Sequence, residues 1–201
     1  MRPWKNNSYT EQNRTGKLNY PVLSVREIQQ QDIDPIIQYW LSSKPAFLEA
    51  MGVDLGKIPG RNEWREMLME QLSQSIEEKK SYCIIWEVDR KSVGHSNINK
   101  IIFGAEAYMH LHIWNADARK KGFGSAFVKL TLPWFFEKFR LKNLYCEPYA
   151  LNPAPNKTLE KNGFEFVKEY ITTPGSLNFE QPVNRWVLSL DQFNKLKGGA
   201  A

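Results

Sequence analysis

The sequence predicts an α/β domain of the α+β kind, with a largely antiparallel central sheet flanked by helices. Three observations predict it. Two N-terminal segments carry apolar residues at helical spacing. The middle and the end of the chain change to short apolar runs of strand length. Single helices interrupt the strands beyond residue 121. The implied order is strand, two helices, three strands, helix, strand, helix, two strands, and such interleaving builds a mixed sheet covered by helices.

Each element has its own signal. Residues 18–26 read as the first strand, with Val22 and Val25 among turn formers. A helix follows: Asp32 or Asp34 can cap it, Pro35 suits its first turn, and Ile33, Ile36, Ile37, Trp40 and Leu41 recur at helical spacing. Trp64, Leu68, Leu72 and Ile76, four residues apart, predict a second helix over 62–80. The apolar run 82–88 ends at Asp89-Arg90-Lys91, a hairpin turn. Residues 93–103 and 105–114 are the third and fourth strands, joined near Gly104. A loop over 115–121 leads to a helix opening at Gly122, with Phe123, Phe127, Leu130 and Trp134 as apolar positions and Pro133 predicting a kink or an early break. Residues 144–149 form the fifth strand, 155–162 a short helix stopped by Gly163, and 164–171 and 183–190 the last two strands. Residues 1–17, polar and without periodicity, predict a disordered or loosely packed arm before a single domain over 18–197. The tail beyond Lys197 is expected to fray.

The 201 residues suffice for one domain with a full core. Cys83 and Cys146 sit in apolar runs and read as buried thiols of a reducing compartment, with no metal-ligand spacing. No apolar run reaches membrane length and the polar N-terminus is unlike a signal peptide, so a soluble cytoplasmic protein with no membrane partner is expected. The net charge of +5 suits an anionic partner. The densest basic cluster, Arg119-Lys120-Lys121, is too short for a general nucleic-acid binder, so none is expected as a partner.

The segment Arg119-Lys120-Lys121-Gly122-Phe123-Gly124 follows a strand and opens a helix. A helix N-terminus presents unpaired N–H groups and the positive end of its dipole, and glycines let the backbone approach an anion. This is a physical site for a diphosphate. It lacks the Gly-Lys-Ser/Thr ending of a Walker loop and the third glycine of a dinucleotide fingerprint.

The same six residues resemble the Arg/Gln-x-x-Gly-x-Gly/Ala signature by which GNAT acetyltransferases bind the CoA pyrophosphate. A second block, residues 152–164 ending Leu159-Glu160-Lys161-Asn162-Gly163-Phe164, is similar to that family's asparagine-bearing helix. The resemblance spans residues 18–190, with the clearest motifs in 106–170. It implies acetyl-CoA as co-substrate and a sheet splayed between strands four and five. Backbone groups of Ile113 and Trp114 would hold the pantetheine arm, amides of Lys120, Lys121, Gly122, Phe123, Gly124 and Ser125 would receive the phosphates beside Arg119, and Asn152 would lie near the CoA arm.

Acetyl transfer to an amine needs a base for the amine's proton and an N–H donor for the oxyanion. A donor for the departing thiolate can assist. The family's usual donor positions hold Leu159 and Pro155 here, which leaves Tyr149, a water or unaided departure. The base candidates are His95, His110, His112, Glu106 and Glu147. Period two puts His110, His112 and Trp114 on one strand face. We favour His112, closer to the cofactor loop, with His110 facing the substrate and Glu147 as rival. Glu147-Pro148 with Asn152, and Thr172-Thr173-Pro174-Gly175, are similar to stretches of aminoglycoside 6′-N-acetyltransferases and siderophore-biosynthesis acyltransferases, whereas Leu159-Glu160-Lys161 resembles RimJ/RimL-like protein acetyltransferases. The expected acceptor is a small polar amine or hydroxylamine, with Glu106 and Glu180 as partners for any ammonium. The alternatives are a protein N-terminus and a non-catalytic acyl-CoA-binding module. Of the aromatic residues Trp40, Phe47 and Trp64 in the helical N-terminal region, one or two are expected to line the acceptor pocket. A homodimer is left open.

Overall fold

The computed structural model describes residues 11–12, 18–119 and 121–198. A short strand pair, β1 (Glu11–Gln12) with β2 (Leu18–Asn19), precedes the main sheet. That sheet contains β3 (Leu23–Glu27), β4 (Ser81–Val88), β5 (Lys91–Ile102), β6 (Glu106–Ile113), β7 (Asn143–Cys146), β8 (Glu165–Thr172) and β9 (Gln181–Ser189). Its spatial order is β3-β4-β5-β6-β7-β9-β8, antiparallel throughout except for the parallel pair β6–β7. The predicted mixed, largely antiparallel sheet is therefore present.

Helices cover both faces. On one lie α1 (Ile33–Ser42), α2 (Pro45–Glu49) and α3 (Arg61–Ser73); on the other lie α4 (Phe123–Phe139), α5 (Pro153–Lys161) and α6 (Leu190–Gly198). Strand β4 runs between two cores. Tyr82, Ile84 and Trp86 enter the core under α4, while Cys83 and Ile85 enter the core under α1 and α3. A strand buried on both faces reads as one continuous apolar run, as this one does. Asp89 and Arg90 adopt left-handed φ of 49° and 64°, the two-residue hairpin geometry that matches strand twist.

Several boundaries differ from the sequence expectations. The first strand is interrupted, because residues 20–22 around Pro21 leave the sheet and only Leu23–Glu27 pairs with β4. Asp32 does not cap α1 with its side chain. Its carboxylate instead takes a bidentate pair from Arg26, at 2.6 and 2.8 Å, and accepts Gln29 N–H. The second predicted helix stops at Ser73: Gln74 turns extended and Ile76 packs against the opposite core, beneath α4. The helix α4 passes through Pro133 to Phe139, because Phe135, Phe136 and Phe139 are fully buried and their burial outweighs one missing backbone bond. The fifth strand ends at Cys146, α5 begins at Pro153, and α2 and α6 are elements the sequence reading lacked. Residues 1–10, 13–17 and 199–201, with most of the predicted arm and tail, lie outside the described residues.

The parallel pairing of β6 and β7 covers only Glu106–Tyr108 against Asn143–Tyr145. Beyond it the strands diverge, and the Cys146 thiol rather than a ladder bond reaches Met109 O, at 2.9 Å. The expected splay between the fourth and fifth predicted strands is thus real, and it opens between the two motif blocks.

Candidate active site

The first wall of the site is the N-terminus of α4. Gly122 caps it with φ 75° and ψ −4°, a left-handed conformation that a Cβ disfavours. Phe123, Gly124 and Ser125 form the first helical turn, whose N–H groups have no intrahelical acceptor. A Cβ added at Gly124 would meet nothing closer than Ile113 Cδ1 at 3.7 Å, so the turn has an open approach. The second motif block touches the first here: Asn162 Nδ2 donates to Ser125 Oγ at 3.0 Å. Asn152 is the N-cap of α5, its Oδ1 accepting from Ala154 N at 3.3 Å. Amides at a helix start, a glycine-opened approach and an adjacent splay fit the phosphates and arm of a CoA thioester. Lys120 lies outside the described residues, and Lys121 is exposed beside the cap.

Arg119 is engaged with protein groups at the end of β6. Its Nε donates to Ile113 O (3.0 Å), its Nη2 to Trp114 O (3.2 Å), and its guanidinium lies 3.9 Å from the Phe47 ring centre. It clamps the end of β6 to α2. Trp114 N–H bonds Val93 O at 2.8 Å. The carbonyls of Ile113 and Trp114, the residues expected along the pantetheine arm, therefore accept from Arg119 in this structure.

The second wall is the sheet face beneath α1 and α3. Register aligns three rows across it: Ile85–His95–His112, Cys83–Asn97–His110 and Ser81–Asn99–Tyr108. His95 and His112 stack with ring centres 4.8 Å apart, and Trp40 meets His112 edge-on at 4.9 Å. Trp114 Nε1 donates to His95 Nδ1 at 2.7 Å, which puts the His95 proton on Nε2. Asn99 Oδ1 lies 3.2 Å from His110 Nε2; an amide oxygen only accepts, so that nitrogen carries the His110 proton. Tyr39 OH lies 3.3 Å from His112 Nδ1. Burial pushes His95 down to about 3, aided by His110, and His110 down to about 4, aided by Lys100. Burial also holds His112 well below the usual histidine range, with His95 and His110 contributing. All three imidazoles are neutral near pH 7.

A cavity of about 430 Å³ lies over these rows. Its far wall is the loop 173–180, tied down on both sides. Lys100 Nζ donates to Pro174 O (2.9 Å), while Asn178 Nδ2 donates to Gly52 O (2.8 Å) and Asp54 N to Leu177 O (2.8 Å). The loop forms a strap from the sheet to the segment after α2.

Glu147 sits just past β7 with a side chain 4% exposed. Its Oε1 is 3.0 Å from Arg185 Nε, an ion pair outside directed hydrogen-bond geometry, and accepts from Tyr170 OH. Arg185 also bonds Tyr108 OH and lies 4.8 Å from the Tyr145 ring centre. Glu147 lines the cavity but is engaged in this cluster. Glu106, at the opposite end of β6 from His112, does not line it, nor does Glu180. Leu159 is fully buried in the core. Tyr149 and Pro155 line the cavity near the splay.

Sequence reasoning missed Tyr39, which sits on α1 against His112, and Asn156. The Asn156 amide donates to Tyr149 O and Asn152 O and accepts from Trp186 Nε1 and Asn184 Nδ2, fixing the turn between β7 and α5. Its place one turn after Asn152 was the available signal.

Comparisons with known proteins agree with this geometry. A family model for the acetyltransferase (GNAT) domain matches residues 23–165. No protein of curated function matches the sequence. Among solved structures, a RimL ribosomal L7/L12 α-N-protein acetyltransferase in complex with coenzyme A superposes with a TM-score of 0.70 at 16% identity, over 85% of this chain and 95% of that one. A spermidine N-acetyltransferase from Vibrio cholerae in complex with CoA and spermine gives 0.70 at 15% identity, over 86% and 98%. The aminoglycoside acetyltransferase AAC(6′)-Ib with coenzyme A gives 0.67 at 15% identity, over 88% and 99%. At these identities the likeness is one of fold.

Proposed function

We propose, for a chain that belongs to the GNAT acetyltransferase family and so moves an acetyl group from acetyl-CoA to an amine, that the acceptor is a small polar amine or hydroxylamine. The observation that carries this reading is the strapped cavity. Its volume suits a small molecule, and the loop 173–180 is tied across it to residues 52–54, which restricts a folded protein surface. Its lining also lacks an unengaged buried carboxylate: Glu147 is paired with Arg185, and Glu70 accepts from Gln74 at the helix surface. An ammonium-rich acceptor would lose water there without a partner, so a modestly charged amine ranks above an aminoglycoside.

The neutral amine attacks the thioester carbonyl carbon and a proton leaves the nitrogen. We assign that proton to His112, whose burial keeps it in the accepting form. A nitrogen that has added to a carbonyl is far more acidic than a free ammonium, so a weakly basic imidazole suffices. Amides of Lys120, Lys121 and residues 122–125 receive the pyrophosphate with Asn152 nearby, and Ile113 and Trp114 border the thioester arm. The CoA thiolate departs without a side-chain acid at residues 155 or 159, with Tyr149 as a candidate donor lining the cavity. His110 orients the acceptor through its row with Asn97.

The test pairs His112→Ala with a panel of small amines, hydroxylamines and N-terminal peptides, with acetylation read by mass spectrometry. A fall of about 100-fold in turnover with unchanged CoA affinity is expected. A fall below tenfold overturns the base assignment, and a tenfold higher kcat/KM on peptides overturns the acceptor class.

A further inference from the structure

Two polar atoms on α3 stand out within the cavity. Trp64 Nε1 and Gln71 Oε1 both lack a hydrogen-bond partner, in side chains whose residues are 8% and 6% exposed, and both residues line the cavity. Most buried polar groups in folded proteins are satisfied, and leaving one unsatisfied is costly. Both lie on the stripe Trp64, Leu68, Gln71 that α3 turns towards the sheet. Leucine at the middle position makes the stripe's burial ordinary; the amide and the indole N–H at its two ends are not.

The positions of the two ends match the rows of the sheet. Trp64 stacks on Trp40 with ring centres 5.7 Å apart, and Trp40 meets His112, so Trp40 links Trp64 to the row of the proposed base. Gln71 Nε2 donates to Ser81 Oγ at 2.7 Å, and Ser81 belongs to the row of Asn99 and Tyr108. The seven helical steps from Trp64 to Gln71 span about 10 Å. The four strand steps from His112 to Tyr108 span about 14 Å. The helix and the strand therefore bracket one elongated space. It has imidazoles at one end, Asn97 in the middle, and Asn99, Ser81 and Gln71 at the other.

We infer that Trp64 and Gln71 form a specificity subsite for an elongated acceptor, whose end remote from the amine carries a neutral hydrogen-bonding group such as a hydroxyl or a carboxamide. This rests on the small-amine reading above. The Gln71 oxygen accepts from that group, the neighbouring Asn99 and Ser81 complete its polar surroundings, and Trp64 N–H bonds an oxygen near the reacting end. A charged end fits less well, because carboxamides and a hydroxyl meet it while the charged lining residues Glu70 and Lys80 are exposed at the surface. Both residues are positioning groups and exchange no proton with the reacting atoms.

The test uses a series of primary alkylamines whose far end is a carboxamide, hydroxyl, methyl, ammonium or carboxylate, lengthened one methylene at a time. Acetyl transfer is followed in wild type, Gln71→Met and Trp64→Phe. Carboxamide- and hydroxyl-ended probes with ends about 10 Å apart should lead the series. Gln71→Met should collapse the kcat/KM ratio of carboxamide-ended to methyl-ended probe by about tenfold, chiefly through KM. Trp64→Phe should raise KM without narrowing that ratio. Both variants should stay folded, although Gln71→Met also gives up the bond to Ser81 Oγ and Trp64→Phe part of the stack on Trp40. A preference for ammonium or carboxylate ends, or a folded Gln71→Met variant with an unchanged ratio, overturns the inference alone. If no probe is acetylated, the methyl-ended ones included, while CoA still binds, the small-amine reading fails and this inference with it.

Discussion

Around the start of α4 the groups proposed to bind CoA are backbone amides, gathered in one short stretch from Lys121 to Ser125. On the opposite face they are side chains drawn from α1, α3, β4, β5 and β6, brought together only by register. The two halves of the site are thus specified differently. An amide cluster needs a glycine with left-handed φ and little else, so it tolerates change in the side chains around it. The acceptor face depends on every partner at once: His112 against Tyr39, His95 against Trp114, His110 against Asn99. Such a face can change what it recognises by single substitutions while the other half keeps the same co-substrate.

The largest expected effect tests the backbone half. Gly122→Asp adds a Cβ at φ 75° and a carboxylate where phosphate should sit. CoA affinity measured by calorimetry should fall by about 2 kcal/mol or more, roughly thirty-fold in Kd. Unchanged affinity in a folded Gly122→Asp protein would erase the contrast, because the amides would then not be the binding groups.

Glu147→Gln tests whether the side-chain half has a structural pillar distinct from its chemistry. The substitution leaves Arg185 facing a neutral amide among three tyrosine rings. Since the arginine side chain is a quarter exposed, the loss of unfolding free energy should be about 2 kcal/mol rather than the full cost of a sealed pair. Turnover of the folded variant should drop less than tenfold. A loss near 100-fold with unchanged stability would make Glu147 the base and return His112 to the scaffold.

The third test concerns pH. The depressed histidines are neutral when folded, whereas the unfolded chain takes up protons below about 6.5. Stability is therefore complete above that pH and is lost as pH falls towards about 4 for His110 and about 3 for His95. The slope is at most about 1.4 kcal/mol per pH unit for each histidine. Melting temperatures between pH 6.5 and 5, above most carboxylate titration, should fall with acid, and His95→Gln should flatten the curve. A flat wild-type curve would mean that these rings are not held neutral.

The same contrast explains what the sequence made legible. The amide half is contiguous, so Gly122, the helix after it and the block ending at Phe164 could be read directly. Period two correctly paired His110 with His112 on one strand face. It could not reveal that His95 stacks on His112 or that Tyr39 reaches it from α1, because those contacts depend on strand register and helix docking. The early break that Pro133 suggested did not occur, because aromatic burial overrode that local rule. The stripe of α3 predicted a helix continuing through Ile76, but that residue wraps to the other core. Gln71, two turns along from Trp64, carried no apolar signal and passed unnoticed.

Both cysteines are free and buried, and burial pushes both thiols well above their usual range. In assay chemistry this makes the folded protein nearly silent to a chromogenic disulfide reagent at neutral pH. Colour that develops during turnover then reports released CoA, with little background to subtract. The same reagent becomes a stoichiometric gauge of unfolding, since a denatured chain yields two equivalents of thiol. One reagent can therefore separate a variant that has lost its chemistry from one that has lost its fold.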